Sequence, residues 1–147
     1  MIIDYKTGNA NPKDWFGERP DEPQLPLYGI SNTQEVAGLI FAQLRTGELR
    51  FKGFSQGQNI IPDVPDFSAA KSTHTMSYAS TWPQQFNDWR QVLQNLAEEF
   101  RSGYAAVEPK KPGDTCKYCE LTALCRIHEH DRLGLGLAPD AQDENDS

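Results

Sequence analysis

No run of eighteen apolar residues occurs anywhere in the 147-residue chain, which rules out a transmembrane helix. The first residues lack the basic-then-apolar plan of a signal peptide, so a cytoplasmic location with no membrane partner is the expectation. Cysteine is scarce: there are three, all between positions 116 and 125. An odd, clustered set reads poorly as a disulfide framework and better as metal ligation. Positive charge is also short, with 14 Lys and Arg against 21 Asp and Glu and a formal charge of −7. That balance argues against non-specific coating of nucleic acid, but it does not exclude a polyanion-processing site that first loads a cation on carboxylates. Hydrophobic residues reach 37%, on the low side, while 11 Gly and 10 Pro predict long irregular connections. No internal repeat is visible.

What is present suffices for one domain with a modest core. Residues 1–7 (MIIDYKT) read as a buried strand, with β-branched Ile2 and Ile3 and a Thr7-Gly8-Asn9 turn after it. Residues 8–23 read as a loop rich in Gly, Pro and Asp. The segment from Gln24 to Tyr28 fits one or two helical turns, because Pro26 is tolerated only near a helix start. Residues 35–45 (EVAGLIFAQLR) carry apolar groups on both faces, as a central strand does. After a Thr46-Gly47-Glu48 turn, residues 49–54 alternate apolar and polar and fit a hairpin partner. Residues 55–79 show no period and read as a long loop.

The clearest element is a helix over 82–102. Ser80 or Thr81 can cap it, Pro83 lies in its first turn and Gly103 ends it. Trp82, Phe86, Trp89, Leu93, Leu96 and Phe100 recur at steps of four and three, one apolar stripe for core packing. The acidic tail beyond residue 126 holds Asp140, Asp143, Glu144 and Asp146, has no Lys or Arg after Leu137, and is expected to be disordered.

The chemistry concentrates at Asp4-Tyr5-Lys6. Strand residues i and i+2 share a face, so Asp4 and Lys6 share one and Ile3, Tyr5 and Thr7 the other. A carboxylate can hold a divalent cation that polarises a phosphoryl oxygen and acidifies a bound water. A neighbouring ammonium can orient that water or offset charge developing on the phosphate. The pattern alone is loose: acid, any residue, Lys arises about once by chance in a chain of this composition. Glu108-Pro109-Lys110 is a second instance without an assigned role. The plain alternative for Asp4 and Lys6 is an exposed ion pair of little energetic value.

Taken in order, IIDYKTG, QLPLYG and CKYCELTALCR resemble the C-terminal part of a PD-(D/E)xK nuclease domain of the RecB type. They are most similar to the iron–sulfur versions in AddB-like helicase–nuclease proteins of DNA repair. The resemblance covers Ile2 to about Arg126. It implies an α/β, restriction-endonuclease-like core, here partial, with a mixed sheet flanked by helices. It also implies a Mg²⁺- or Mn²⁺-dependent DNA exonuclease working with a helicase subunit or domain. Carried over residue by residue, Asp4 is a metal-ligating carboxylate, the Tyr5 carbonyl a further ligand and Lys6 the catalytic lysine. Gln24 and Tyr28 match the family's Gln-x3-Tyr motif beside the active site, and four residues apart they share a helix face. The plain alternatives are a surface polar group for Gln24 and core packing for Tyr28. Trp15 and Arg19, between the motifs, fit either DNA contact or loop packing.

The family site also needs an acidic residue from a preceding strand. A hard cation wants several oxygen ligands, and Asp4 supplies too few. The expectation is therefore an N-terminally truncated nuclease core spanning 1–126, inactive alone, or a degenerate remnant.

Cys116-x2-Cys119 places two thiolates on a tight turn, with Cys125 following. The resemblance implies a [4Fe–4S] cluster, whose fourth Cys would lie upstream. A Cys₃His zinc site completed by His128 or His130 needs no missing residue, and three plain thiols are the third possibility. With zinc or a cluster as a structural staple, the rival to the enzyme is a non-catalytic DNA-binding or scaffold module.

Overall fold

The computed structural model describes residues 1–58, 60–70 and 79–126. The expected tail beyond Arg126, and with it His128 and His130, lies outside the described residues. The chain divides into two compact units, Met1–Ser102 and Gly103–Ser147.

The first unit is built on a three-stranded mixed sheet in the order β1-β2-β3. β1 (Ile2–Lys6) runs parallel to β2 (Gly38–Arg45), which pairs antiparallel with β3 (Glu48–Ser55). The antiparallel pair needs only the two-residue Thr46-Gly47 turn. The parallel pair needs a long crossover, supplied by a 3-10 turn (Pro12–Trp15) and helix α1 (Gln24–Ser31). β2 is buried from Gly38 to Gln43, as its apolar run on both faces predicts. β1 differs from expectation: it alternates half-buried and exposed residues, with Tyr5 69% exposed. It has a partner on one side only among the described residues, so its outward side chains lack the cover a central strand receives. Gly53 is required where it stands, because a Cβ there would lie 2.1 Å from the Leu39 carbonyl oxygen.

One sheet face carries the core. Ile2, Leu39 and Phe54 share a register row, followed by Asp4, Phe41 and Lys52, then Lys6, Gln43 and Arg50. Onto the apolar part of this face pack Trp15, Phe16 and Leu25, and the first half of α3 (Trp82–Ser102). Trp15 is fully buried, its ring centroid 5.0 Å from that of Phe41 and 6.4 Å from that of Trp89. Core packing is thus the role of Trp15, not DNA contact, and the expected featureless loop over 8–23 contains the turn that inserts it. Trp89 Nε1 donates to the Trp15 carbonyl at 2.9 Å and Trp82 Nε1 to the Val36 carbonyl at 2.7 Å, so these two indoles satisfy their polar ends, whereas the buried Trp15 Nε1 has no hydrogen-bond partner among the described residues.

Helix α3 begins and ends as the sequence predicts. Thr81 Oγ1 accepts from the Gln84 amide at 3.3 Å, and Gly103 adopts φ +78 at the stop. Its stripe is only partly used. Trp82 and Trp89 are buried, Leu93 and Leu96 half-buried, and Phe100 is 88% exposed. The expected long loop over 55–79 contains a short helix α2 (Phe67–Ala70), whose Phe67 enters the core.

The second unit, described from Gly103 to Arg126, holds two single-turn helices, α4 (Pro112–Thr115) and α5 (Thr122–Cys125).

Candidate active site

β1 delivers Asp4 and Lys6 to the core-bearing face of the sheet, as strand alternation requires. Beneath them lies Phe41, the register partner of Asp4, with its ring centroid 5.5 Å from Lys6 Nζ, a cation–π contact. Apolar neighbours explain why Asp4 Oδ2 is buried. Lys6 Nζ stands 3.3 Å from that oxygen as an ion pair, but Oδ2 has no aligned hydrogen-bond donor. A buried carboxylate oxygen left this way keeps its acceptor capacity for something else.

A third group was not anticipated. Glu22 Oε2 accepts a hydrogen bond from Lys6 Nζ at 3.4 Å across sixteen residues of chain. Burial pulls the Lys6 ammonium down, but the contacts and charges of Asp4 and Glu22 outweigh it and raise its pKa above the ordinary lysine value. Lys6 is therefore a cation here.

The chain just after Lys6 is pinned from the neighbouring strands. Gln43 Nε2 donates to the Gly8 carbonyl at 2.5 Å, Arg45 to Asn9 Oδ1, and Lys52 Nζ to the Ala10 carbonyl at 3.3 Å. Gln43 is buried, and its buried amide is satisfied by that bond. A lone amide interrupting the apolar run GLIFAQL was the available signal for this tie. Nothing in the sequence links Glu22 to Lys6.

Gln24 opens α1 and donates from Nε2 to the Tyr28 hydroxyl at 3.2 Å, so the two residues do share a helix face. Tyr28 is half-exposed rather than packed in the core. α1 packs on β1 and β2 through Leu25 and its neighbours. The structure thus groups Asp4 with Lys6, and Gln24 with Tyr28. Tyr5 turns its side chain to the opposite face of the sheet, which leaves only its backbone as a donor toward a cation.

In the second unit Cys116 and Cys119 bracket a tight turn closed by the Cys119 amide on the Cys116 carbonyl at 3.2 Å, and Cys125 ends α5. None is in a disulfide; Cys116 and Cys125 are half-buried and Cys119 is exposed. Among the described residues no three His, Cys, Asp or Glu side chains are gathered closely enough to hold a metal ion. The donor sets therefore fit unequally. The orphaned Asp4 oxygen suits one coordination position of a hard cation, whereas the three thiols are not placed as an iron–sulfur site would need.

A carboxylate and an ammonium on the face of a mixed α/β sheet, beside a helix carrying a Gln–Tyr pair, define the class: a restriction-endonuclease-like nuclease core. The family model of the PD-(D/E)XK nuclease superfamily matches residues 1–126. The chain belongs to that superfamily, which makes it a nuclease domain with DNA as the implied substrate and a divalent metal such as Mg²⁺ as the usual cofactor. Comparison with curated proteins and with solved structures yielded no match. No described helix is long and apolar enough to cross a membrane.

Proposed function

We propose that Asp4 and Lys6 form part of the hydrolytic centre of a metal-dependent DNA exonuclease of the RecB/AddB-like type, acting with a helicase subunit or domain. The observation that carries this is the pair itself: a buried, unaligned carboxylate oxygen 3.3 Å from an ammonium on one strand face. Asp4, with the Tyr5 carbonyl, would hold Mg²⁺ or Mn²⁺, which supplies a polarised phosphoryl oxygen and an acidified water. Lys6, kept charged by its carboxylate neighbours, offsets negative charge accumulating on the scissile phosphate. Gln24, fixed by its bond to Tyr28, lies at the start of the helix that packs on β1 and is suited to hold the DNA strand alongside. The helicase association is supported by the resemblance of IIDYKTG, QLPLYG and CKYCELTALCR to AddB-like proteins.

The test is cleavage of linear DNA with Mg²⁺ by the intact protein. Asp4→Asn and Lys6→Ala should each lower kcat by about 10²–10³-fold, the scale of losing one charge-stabilising group. Full activity in Lys6→Ala would overturn its catalytic role. A second reading, a non-catalytic DNA-binding or scaffold module, is favoured by one observation: the described carboxylates do not assemble a complete ligand set. It requires DNA binding that survives both substitutions without any cleavage by the parent protein.

A further inference from the structure

We propose that Glu22 is the positioning residue for Lys6, holding the ammonium at the site while Asp4 is committed to a divalent cation. This rests on the metal-dependent reading above and assigns the loop before α1 a part in it.

Asp4 is asked to do two things. Its Oδ2 faces Lys6 Nζ at 3.3 Å, and the same carboxylate is the one available for a cation. Once a cation draws on that charge, two positive centres stand within a few ångströms of each other, and like charges at that range repel. With Asp4 alone, Lys6 would be displaced at the moment it is needed. Asp4 and Glu22 are the two carboxylates within ion-pair distance of Lys6 among the described residues, and Glu22 is the one that also accepts a hydrogen bond, at 3.4 Å.

Glu22 is itself held. Its amide donates to the Asp14 carbonyl at 3.0 Å, tying it to the turn that buries Trp15. Pro23 follows it and restricts its backbone to extended conformations. The Phe41 ring, its centroid 5.5 Å from Lys6 Nζ, offers a cation–π surface but no countercharge. The Glu22 side chain, 40% exposed, retains freedom to follow Lys6 over a short distance.

The test uses the intact protein with Glu22→Gln, Glu22→Asp and Asp4→Asn. Mn²⁺ binding is followed by electron paramagnetic resonance, Lys6 accessibility by its acetylation rate in mass spectrometry, and turnover on linear DNA by kcat and KM. The parent should bind Mn²⁺ through Asp4 with little change in Lys6 acetylation. Glu22→Gln should still bind Mn²⁺, but Lys6 acetylation should rise roughly three- to tenfold on adding the ion. Its kcat should fall about tenfold with KM within about twofold, and Glu22→Asp should recover most of that loss. Glu22→Gln matching the parent in both acetylation and kcat overturns the proposal while leaving the metal site standing. Loss of Mn²⁺ binding in Glu22→Gln also overturns it, by making Glu22 a ligand. Mn²⁺ binding that is absent from the parent, or indifferent to Asp4→Asn, overturns the underlying metal reading and this proposal with it.

Discussion

The two units of this chain are held by different means. In Met1–Ser102, Trp15, Phe41, Phe54, Phe67, Trp82, Phe86 and Trp89 form a continuous set of edge-on or tilted ring contacts at centroid separations of 5.0 to 6.4 Å. Such pairs add to the free energy of burial itself, and two of the indoles bond backbone carbonyls from distant loops. In Gly103–Arg126 no described side chain is fully buried; Pro109, Cys116 and Cys125 are the half-buried ones. The backbone hydrogen bonds among its described residues are local, from one turn to the next. Among its described residues little apolar surface is buried, so the hydrophobic effect contributes little there, and two of the three half-buried side chains are thiols.

The largest expected effect tests the aromatic side of this contrast. Trp89→Ala removes a ring in contact with Trp15, Phe16, Trp82 and Phe86 and orphans the Trp15 carbonyl. It should cost about 3–5 kcal/mol in urea unfolding. Phe100→Ala, on the same helix and in the same sequence stripe, should change stability by less than about 0.5 kcal/mol, because its ring is 88% exposed. Equal costs would mean that the end of α3 is covered in solution and that the stripe is core along its whole length.

That pair of residues also shows how far the sequence can be followed. Periodicity locates the face of α3 that Trp82, Trp89 and Phe100 share, because side-chain direction is fixed by the helix itself. Whether anything covers that face depends on partners brought up by the rest of the chain. β2 was legible because burial on both sides leaves an unbroken apolar run. β1 was legible as a strand, but its half-exposure depends on what pairs beside it. At the site, Asp4 and Lys6 are two residues apart, so strand alternation alone puts them together, and Gln24 and Tyr28 are paired by helix geometry. Glu22 reaches Lys6 through loop closure over sixteen residues, for which no local pattern exists. The Trp15 turn was hidden for the same reason: Gly, Pro and Asp mark a loop without saying which of its residues points inward.

The second prediction concerns the thiol side. If metal supplies the missing cohesion, adding Zn²⁺, or iron and sulfide without oxygen, should slow amide exchange across residues 116–125 and leave Trp89 fluorescence unchanged. At a hundredfold excess over Kd the gain is about 2.7 kcal/mol, and a chelator should reverse it. A colourless protein with stoichiometric zinc favours a Cys₃His site, and a brown one containing iron and sulfide favours a cluster. Exchange that is fast and indifferent to metal would show three plain thiols and would break the proposed contrast, leaving the second unit without a staple of its own.

The smallest effect compares helices of equal length. α2 and α4 have four residues each, too few to be stable alone. α2 is supported twice. Phe67 is buried in the aromatic core, and Asp66 caps the helix, its Oδ1 accepting from the Ser68 amide at 2.8 Å and from the Ser68 hydroxyl. Those hydrogen bonds, the hydroxyl's foremost, outweigh the opposing effect of burial and hold the Asp66 pKa below its ordinary value of 3.8. A carboxyl with a depressed folded-state pKa stabilises the fold above its unfolded value, and the contribution disappears as pH falls through the folded value. Asp66→Ala should therefore cost about 1 kcal/mol at neutral pH, with the difference from the parent shrinking below pH ~4. The companion substitution Asp114→Ala in the first turn of α4 should leave global unfolding unmoved, since Asp114 and Thr115 in that turn are exposed. A pH-independent loss in Asp66→Ala would mean that the cap works without its charge, and no loss at all would mean that Phe67 alone holds α2.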